Sequence, residues 1–458
     1  MTIQRTFFYR LALSAVCLCA LLWLGTASAS QFVFDGVQLI DIEAGTVSEP
    51  QRLAVSNGQI VASDDASASR RPFRYIDARG LFLMPGLTEM HAHVPNTQNM
   101  QQVEDVLTLF LAHGITTVRG MLGEPGHLRL QNELAMGLLA GPRLITSGPS
   151  LNGQSVTSPE QAEALVRRQH EAGYDFLKLH PGLWPETFDA ITTAADELNM
   201  TYAGHVSDAV GLERVLASRQ TTIDHLDGYA QMLVPPNSEA ANQPPGFFGM
   251  AIAAAMDETR IEPWATRTAL AGTWNVPTQT LVENIAITPI DDMMERPAMR
   301  WIGLETKQQW QQQINQMRSQ FSREDLERFI DVRRALIAAL HQAGAGLLLG
   351  ADAPQIMNVP GDSTHHELRL MVAAGLSTRE ALAMGTTAVA DFFDDDFMAC
   401  LNPGCAADLV LLSLNPLEDI EHTRSVVGVM QAGRWYDRPE LDRKLNDIER
   451  RVNPTGPD

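Results

Sequence analysis

The sequence predicts an α/β protein: a (β/α)8 barrel of the TIM type carrying a small β-sandwich assembled from both termini. Three observations lead there. Between residues 80 and 360, short apolar or β-branched runs alternate with longer amphipathic stretches, the pattern of βα repeats. The runs number eight, enough to close a barrel. Strand-like sequence also flanks this region on both sides, in portions too small to fold alone.

Taken in order, the eight runs are 83-LMPGLTEMHAHV-94, 115-ITTVRGM-121, 143-RLITSGPS-150, 175-DFLKLH-180, 201-TYAGHV-206, 221-TTIDHLDG-228, 275-NVPTQTLV-282 and 346-GLLLGADAP-354. Helical stretches between them include 101–114, 159–173 and 186–200, each with apolar residues at three- and four-residue spacing. Ser158 is placed to cap the second and Gly173 to end it. The spans 229–274 and 283–345 break the rhythm. The first is rich in Pro, Gly, Asn and Ser, and the second contains the Gln-rich helix 308–321. As insertions after strands six and seven they would project from the catalytic face, either as a lid or as plain surface excursions.

The flanks supply strand-like 31–41, 53–63 and 73–80 at one end, and 404–416 and 424–436 at the other. The domain reading is therefore a sandwich of 30–84 with 385–440, a barrel of 85–384 and a C-terminal tail of 441–458. Residues 1–29 read as a secretory signal peptide: Arg5 and Arg10 precede the apolar run 11–25, which ends in Ala27-Ser28-Ala29. The mature protein is thus expected to be exported, periplasmic or secreted and free of the membrane once the leader is cleaved, an uncleaved N-terminal anchor being the other reading. Cys17 and Cys19 would leave with the leader. Cys400 and Cys405 flank an Asn-Pro-Gly turn and are either a disulfide or two small apolar residues. A net charge of −21 argues against nucleic-acid or anionic-membrane partners. A small-molecule substrate is the expected partner, and homo-oligomerisation is left open.

Ionisable residues gather at the strand ends: His91 and His93 on the first, Lys178 on the fourth, His205 on the fifth, His225 on the sixth and Asp352 on the eighth. Residues i and i+2 of a strand share a face, so His91 and His93 both point inward. Barrel strand ends converge, and six side chains of metal-ligand type would converge with them. Four imidazoles and one carboxylate suit Zn²⁺ or a similar divalent ion, and such a set could serve two ions. His113, His170, His341 and His422 fall in helical or tail segments and read as solvated surface, as does His127 at a helix start.

Lys178 is out of place, one of three lysines in the chain and set in a buried apolar run. Metal cations and poor solvation would both disfavour its ammonium. As a neutral amine it could add CO₂, becoming an N6-carboxylysine able to bridge two ions. The other reading keeps it an ammonium paired with Asp224 or Asp352.

These residues, with 84-MPGLTEMHAH-93, 114-GITTVRG-120, 172-AGYDFLKL-179, 222-TIDHLDG-228, 349-LGADAP-354 and 404-GCAADLVLLSLNPLEDI-420, resemble the amidohydrolase superfamily, in particular members that look like imidazolonepropionase and the Xaa-Pro dipeptidases. The resemblance runs from about residue 32 to 436. It implies that His91, His93 and Asp352 hold the more buried metal, His205 and His225 the more exposed one, and carboxylated Lys178 bridges them. Glu89 stands where relatives usually carry Asp, and the segment after the third strand is short.

The mechanism expected is attack by a hydroxide bridging the two ions, with Asp352 as general base and then acid. Arg119, His180, Tyr229, His365 and His366 are candidate contacts for a substrate carboxylate. The expected substrate is a small amide: a dipeptide, Xaa-Pro included, or an N-acyl amino acid. The same site acting on a lactone, cyclic amide or phosphoester is the alternative, and a non-catalytic binding protein on such a barrel is the second.

Overall fold

The structure is a computed structural model that describes residues 31–62 and 73–454. The expected leader, with Arg5, Arg10, Cys17 and Cys19, lies outside them. β1 (Gln31–Asp41) organises a terminal sheet. A bulge between Asp35 and Val37, with Gly36 at φ 76°, divides it in two. The second half of β1 pairs with β2 (Thr46–Val47), and the first half with β3 (Gln51–Ser56), which turns into β4 (Gln59–Val61). β5 (Arg74–Asp77) also joins the first half, and β6 (Phe82–Pro85) the second.

The chain then enters the barrel through seven parallel strands: β7 (Leu87–Ala92), β8 (Ile115–Gly120), β9 (Arg143–Thr146), β10 (Leu177–Leu179), β11 (Tyr202–Gly204), β12 (Thr222–Asp224) and β13 (Trp274–Val276). Single bridges complete the ring, from Ser147 to Phe176, from Asn275 to Leu347 and from Ala353 to Ala92. The eighth position, 346–354, is therefore held by bridges and is not a regular strand. It lies too close to its neighbours for side chains at some positions: a Cβ on Gly350 would meet Val276 Cγ1 at 2.5 Å and His91 N at 2.9 Å. The seventh strand is shorter than expected. Pro277 has no N–H to continue the ladder, Thr278 turns left-handed at φ 47°, and a helix starts at Gln279.

The expected helices form as Met100–Ala112, Pro159–Ala172 and Pro185–Glu197. The Ser158 hydroxyl accepts from Gln161 N, and Gly173 ends its helix at φ 88°. The Gln-rich span is helical over Leu304–Arg318. Two segments depart from the domain reading. Helix Thr387–Phe393, assigned to the sandwich, packs beneath the barrel: Val389 joins Met90, Val276 and Leu348 in one buried cluster. The supposed tail forms the helix Arg438–Val452, capped by Asp437, with Leu441, Leu445 and Ile448 buried.

Strands β14 (Leu409–Leu412), β15 (Val426–Gln431) and β16 (Arg434–Asp437) complete the terminal sheet, whose order is β16-β15-β14-β6-β1-β3-β4. The two ends of the chain meet where β14 pairs with β6, Leu411 opposite Leu83. Phe34, Leu53, Leu83, Leu409 and Met430 share one core. The sandwich expectation holds in part, since both termini build the unit but as a single curled sheet. Cys400 and Cys405 form a disulfide with Cα atoms 5.8 Å apart. Ile60 of β4 hydrogen-bonds to Cys405 O at 2.9 Å, tying that loop to the sheet. No helix among the described residues is long and apolar enough to cross a membrane.

If the C-terminal helix is an integral part of the core, Leu445→Ala should destabilise the protein by about 2–4 kcal/mol in denaturant unfolding, whereas a tail residue would change it by less than about 0.5 kcal/mol.

Candidate metal centre

Five residues of the proposed ligand set, His91, His93, His205, His225 and Asp352, line a cavity at the C-terminal mouth of the barrel, and the sixth, Lys178, is buried below them. His91 ends β7 and His93 follows it; Asp352 comes from the eighth position, and one ligand atom from each lies within 4.8 Å of the others. Asp352 Oδ1 is 2.7 Å from His93 Nε2 and 3.5 Å from His91 Nε2, and Oδ2 is 3.7 Å from His225 Nδ1. The imidazoles form a continuous row. Ring centroids are 5.6 Å apart for His91–His93, 4.6 Å for His91–His225, 4.6 Å for His205–His225 and 4.8 Å for His180–His205.

Local backbone aims these groups. His225 and Leu226 turn left-handed after β12 at φ 61° and 58°, conformations that cost energy and persist only where the surroundings hold them. The holder is Arg333, a buried guanidinium donating to His225 O at 2.7 Å, Pro277 O at 2.9 Å and Gln279 Oε1 at 2.9 Å. The outer ring nitrogens are also engaged. His205 Nδ1 lies 2.7 Å from Asp227 Oδ2 and His225 Nδ1 2.8 Å from Thr278 Oγ1. A carboxylate on Nδ1 fixes the proton there and leaves the Nε2 lone pair free to ligate a metal.

Two buried atoms test whether this set fits a metal. His91 Nδ1 and Asp352 Oδ1 make no hydrogen bond of good geometry, although Asp224 Oδ2 lies 3.2 Å from the former and His93 Nε2 2.7 Å from the latter. Burial pushes the His91 imidazole down to about 4, so it is neutral at ordinary pH. Burial alone would raise the Asp352 carboxyl, but His91 and His93 hold it well below its ordinary value. A buried carboxylate set among imidazoles, with a ring nitrogen of the neutral His91 left unsatisfied, is an arrangement that a divalent cation satisfies. The residues present therefore fit a metal.

Lys178 sits beneath this row, fully buried, as an ammonium paired with Asp224 Oδ2 at 3.1 Å. Pairing with an acid was the second reading of this lysine. Burial lowers its pKa, Asp224 opposing the shift. Burial would raise Asp224, but Lys178 outweighs it and holds that carboxyl well below its usual range. Glu89, which stands where relatives carry Asp, is stitched into the wall: Oε1 accepts from Ala351 N at 2.7 Å and His91 N at 3.2 Å, and Oε2 from the Thr364 hydroxyl at 2.7 Å. Burial pushes its carboxyl up to about 8. The longer acid keeps a supporting role by bonding backbone on both sides of the site.

Above the imidazoles opens a cavity of about 680 Å³. The 229–274 insertion supplies one wall, Pro245 to Gly249, and Phe248 stacks on His225 at 4.8 Å. No residue of 283–345 lines it, so that span packs elsewhere and only the first insertion reaches over the site.

Of the five substrate candidates, only His180 faces the cavity. Burial pushes its imidazole down to about 2, so it is neutral. Arg119 is buried deeper in the barrel, donating to Met90 O at 2.8 Å and Thr222 Oγ1 at 3.1 Å, 3.6 Å from Asp224. The Tyr229 hydroxyl is buried against Thr268 Oγ1 at 2.9 Å and Asn275 Oδ1 at 3.0 Å. His365 is buried between Thr423 and His113, and His366 faces Asp362 in a separate groove. His113 is accordingly no surface residue: it packs on Trp301 and bonds Leu109 O. His127 is buried too, bonded to Pro95 O. Sequence reasoning missed Asp227 and Thr278 as partners of the imidazoles; Asp227, two residues after His225, was the readable signal.

Residues 82–436 match the model of the amidohydrolase family. Among solved structures, the chain superposes on a bottromycin amidohydrolase at 22% identity, covering 91% of this chain and 90% of that one, with TM-score 0.69. A Xaa-Pro dipeptidase with methionine bound in its active site follows at 19% identity, 89% and 100% coverage and TM-score 0.65. A molinate hydrolase matches at 17%, 90% and 96%, with TM-score 0.64. These likenesses establish the barrel-type fold. No curated protein sequence matches the chain.

The buried Tyr229 hydroxyl is structural in this arrangement, so Tyr229→Phe should lower stability by about 1–2 kcal/mol in denaturant unfolding and leave KM unchanged; a KM rise with unchanged stability would put the hydroxyl back on the substrate.

Proposed function

From the premise that the chain belongs to the amidohydrolase family and is a hydrolase of amide or peptide bonds, we propose that it is a two-metal enzyme acting on small amides, peptides among them. One observation carries the reading: the row of imidazoles from His91, His93, His205 and His225 gathered around the Asp352 carboxylate, directly above a buried lysine. His91, His93 and Asp352 would hold one ion, His205 and His225 a second, and carboxylated Lys178 would link them. Such ions supply a water activated near neutral pH and polarise the carbonyl under attack.

The chain's own groups divide the remaining work. Asp352, ionised and facing the cavity, takes the proton of the attacking water and returns it to the leaving nitrogen. His180, neutral and stacked on His205, stands where it can hydrogen-bond the carbonyl oxygen as charge develops. Phe248 and the 245–249 wall cover His225 and limit water around the reacting bond. The buried Lys178 amine, losing a proton, adds CO₂ at Nζ to give a carbamate and H⁺; Asp224 then retains Arg119 and Thr222 as partners. The cavity has the size of small-molecule sites. Export completes the proposal, supported by the leader-like residues 1–29 and by the Cys400–Cys405 disulfide, a bond that persists in oxidising compartments.

Purified protein should carry about two equivalents of divalent metal, zinc foremost, per chain by elemental analysis; a metal-free active enzyme would sink the proposal. Lys178→Ala should lose metal and activity together, with partial rescue by short carboxylic acids. Asp352→Asn should lower kcat by about 10²–10⁴-fold on any amide the parent cleaves.

A further inference from the structure

The cavity's charges say what kind of amide it takes. Among the described residues, no lysine and no arginine lines it. Lys178 lies below the imidazole row, fully buried, and Arg119 and Arg333 spend their donors on Met90, Thr222, His225, Pro277 and Gln279. The carboxylates that face the space are Asp352, Asp227 and Asp208. Asp227 is committed to His205, while Asp208 stands exposed, held by Gln231 Nε2 at 2.9 Å. The neutral polar groups are Gln231 and Gln355.

The rest of the wall is apolar. Leu122 and Trp184 line it while remaining 45% and 65% exposed. Phe247 and Phe248 pack ring to ring at 4.0 Å on the opposite insertion, with Leu281 and Ile356 nearby. An exposed indole and a pair of phenyl rings around one space offer area to an apolar group and no cationic side chain to an anion.

Resting on the amide-hydrolase reading above, we infer that the substrate is an amide bearing a bulky apolar or aromatic group and no carboxylate. A free acid would enter beside Asp208 without a guanidinium or ammonium to meet it, and away from the metal centre its desolvation would go uncompensated. The dipeptide and N-acyl amino acid expectation depended on Arg119, His180, Tyr229, His365 or His366 as carboxylate anchors; of these only His180 reaches the space, where it stacks on His205 beside the reacting centre and brings no guanidinium or ammonium. Selection therefore falls on the leaving side of the bond: a C-terminally capped peptide or an aryl amide fits where the free acid does not.

Matched pairs test this. For leucyl-phenylalanine against leucyl-phenylalaninamide, and glycyl-proline against glycyl-prolinamide, kcat/KM at the internal amide should be at least about 10-fold higher for the capped member. Calorimetry gives a second readout without turnover: N-acetylphenylalaninamide should bind metal-stripped protein at least about 10-fold more tightly than N-acetylphenylalanine. Asp208→Arg, outside the catalytic set, should narrow both gaps by lowering KM for the free acid with little change in kcat. Free acids cleaved and bound as well as their capped partners would overturn the substrate class while leaving the amide reading intact. Failure of every amide in a metal-replete protein would remove that reading and this class with it.

Discussion

The barrel interior is organised around an amine that cannot reach water. Lys178 is fully buried, and the fold answers it with Asp224 at 3.1 Å. Breaking such a pair by deleting one partner costs on the order of 3–5 kcal/mol, because the survivor stays buried and uncompensated. The demand propagates. Asp224 also faces Arg119, whose guanidinium lies between the rings of Phe176 and Phe392 at 5.5 and 5.6 Å. Phe392 belongs to the helix that closes the barrel from below, so the floor of the barrel and the mouth share one electrostatic column.

Above that column the imidazoles are set by strained backbone. His225, Leu226, Thr278 and Asp352 all adopt positive φ without being glycine. Each is costly alone, and together they need a rigid clamp. Arg333 provides it from the outer helix Arg323–Gln342, and the Glu367 carboxylate assists by accepting from Gln279 N at 2.8 Å and Thr280 N at 2.6 Å. The geometry of the centre thus rests on groups that never touch the cavity.

This division explains what was legible in the sequence. The barrel and the convergent set at its mouth were readable, because strand-end chemistry repeats at βα spacing and a lysine inside an apolar run stands out. The substrate contacts were not, because depth is invisible in one dimension. Arg119 shares a strand with the mouth yet lies deep in the barrel, and the Tyr229 hydroxyl finds Thr268 and Asn275, 39 and 46 residues away. The Phe247–Phe248 wall comes from an insertion without periodicity, which gives no hint of its direction. The C-terminal helix was a different miss: Leu441, Leu445 and Ile448 stand at helical spacing, a signal present in the sequence and passed over.

The pairing of β6 with β14 has a consequence for the order in which the molecule is built. Leu83 and Leu411 are neighbours in the sheet and more than three hundred residues apart in the chain. Among the described residues, β14 is the strand that covers that edge of β6, so its backbone groups have no sheet partner until residues 409–412 are in place. Non-local pairings of this kind form late and slowly, and an open strand edge is a template for pairing with other chains. A chain cut short before β14 would therefore keep that edge of β6 exposed, and a chain that includes β14 covers it.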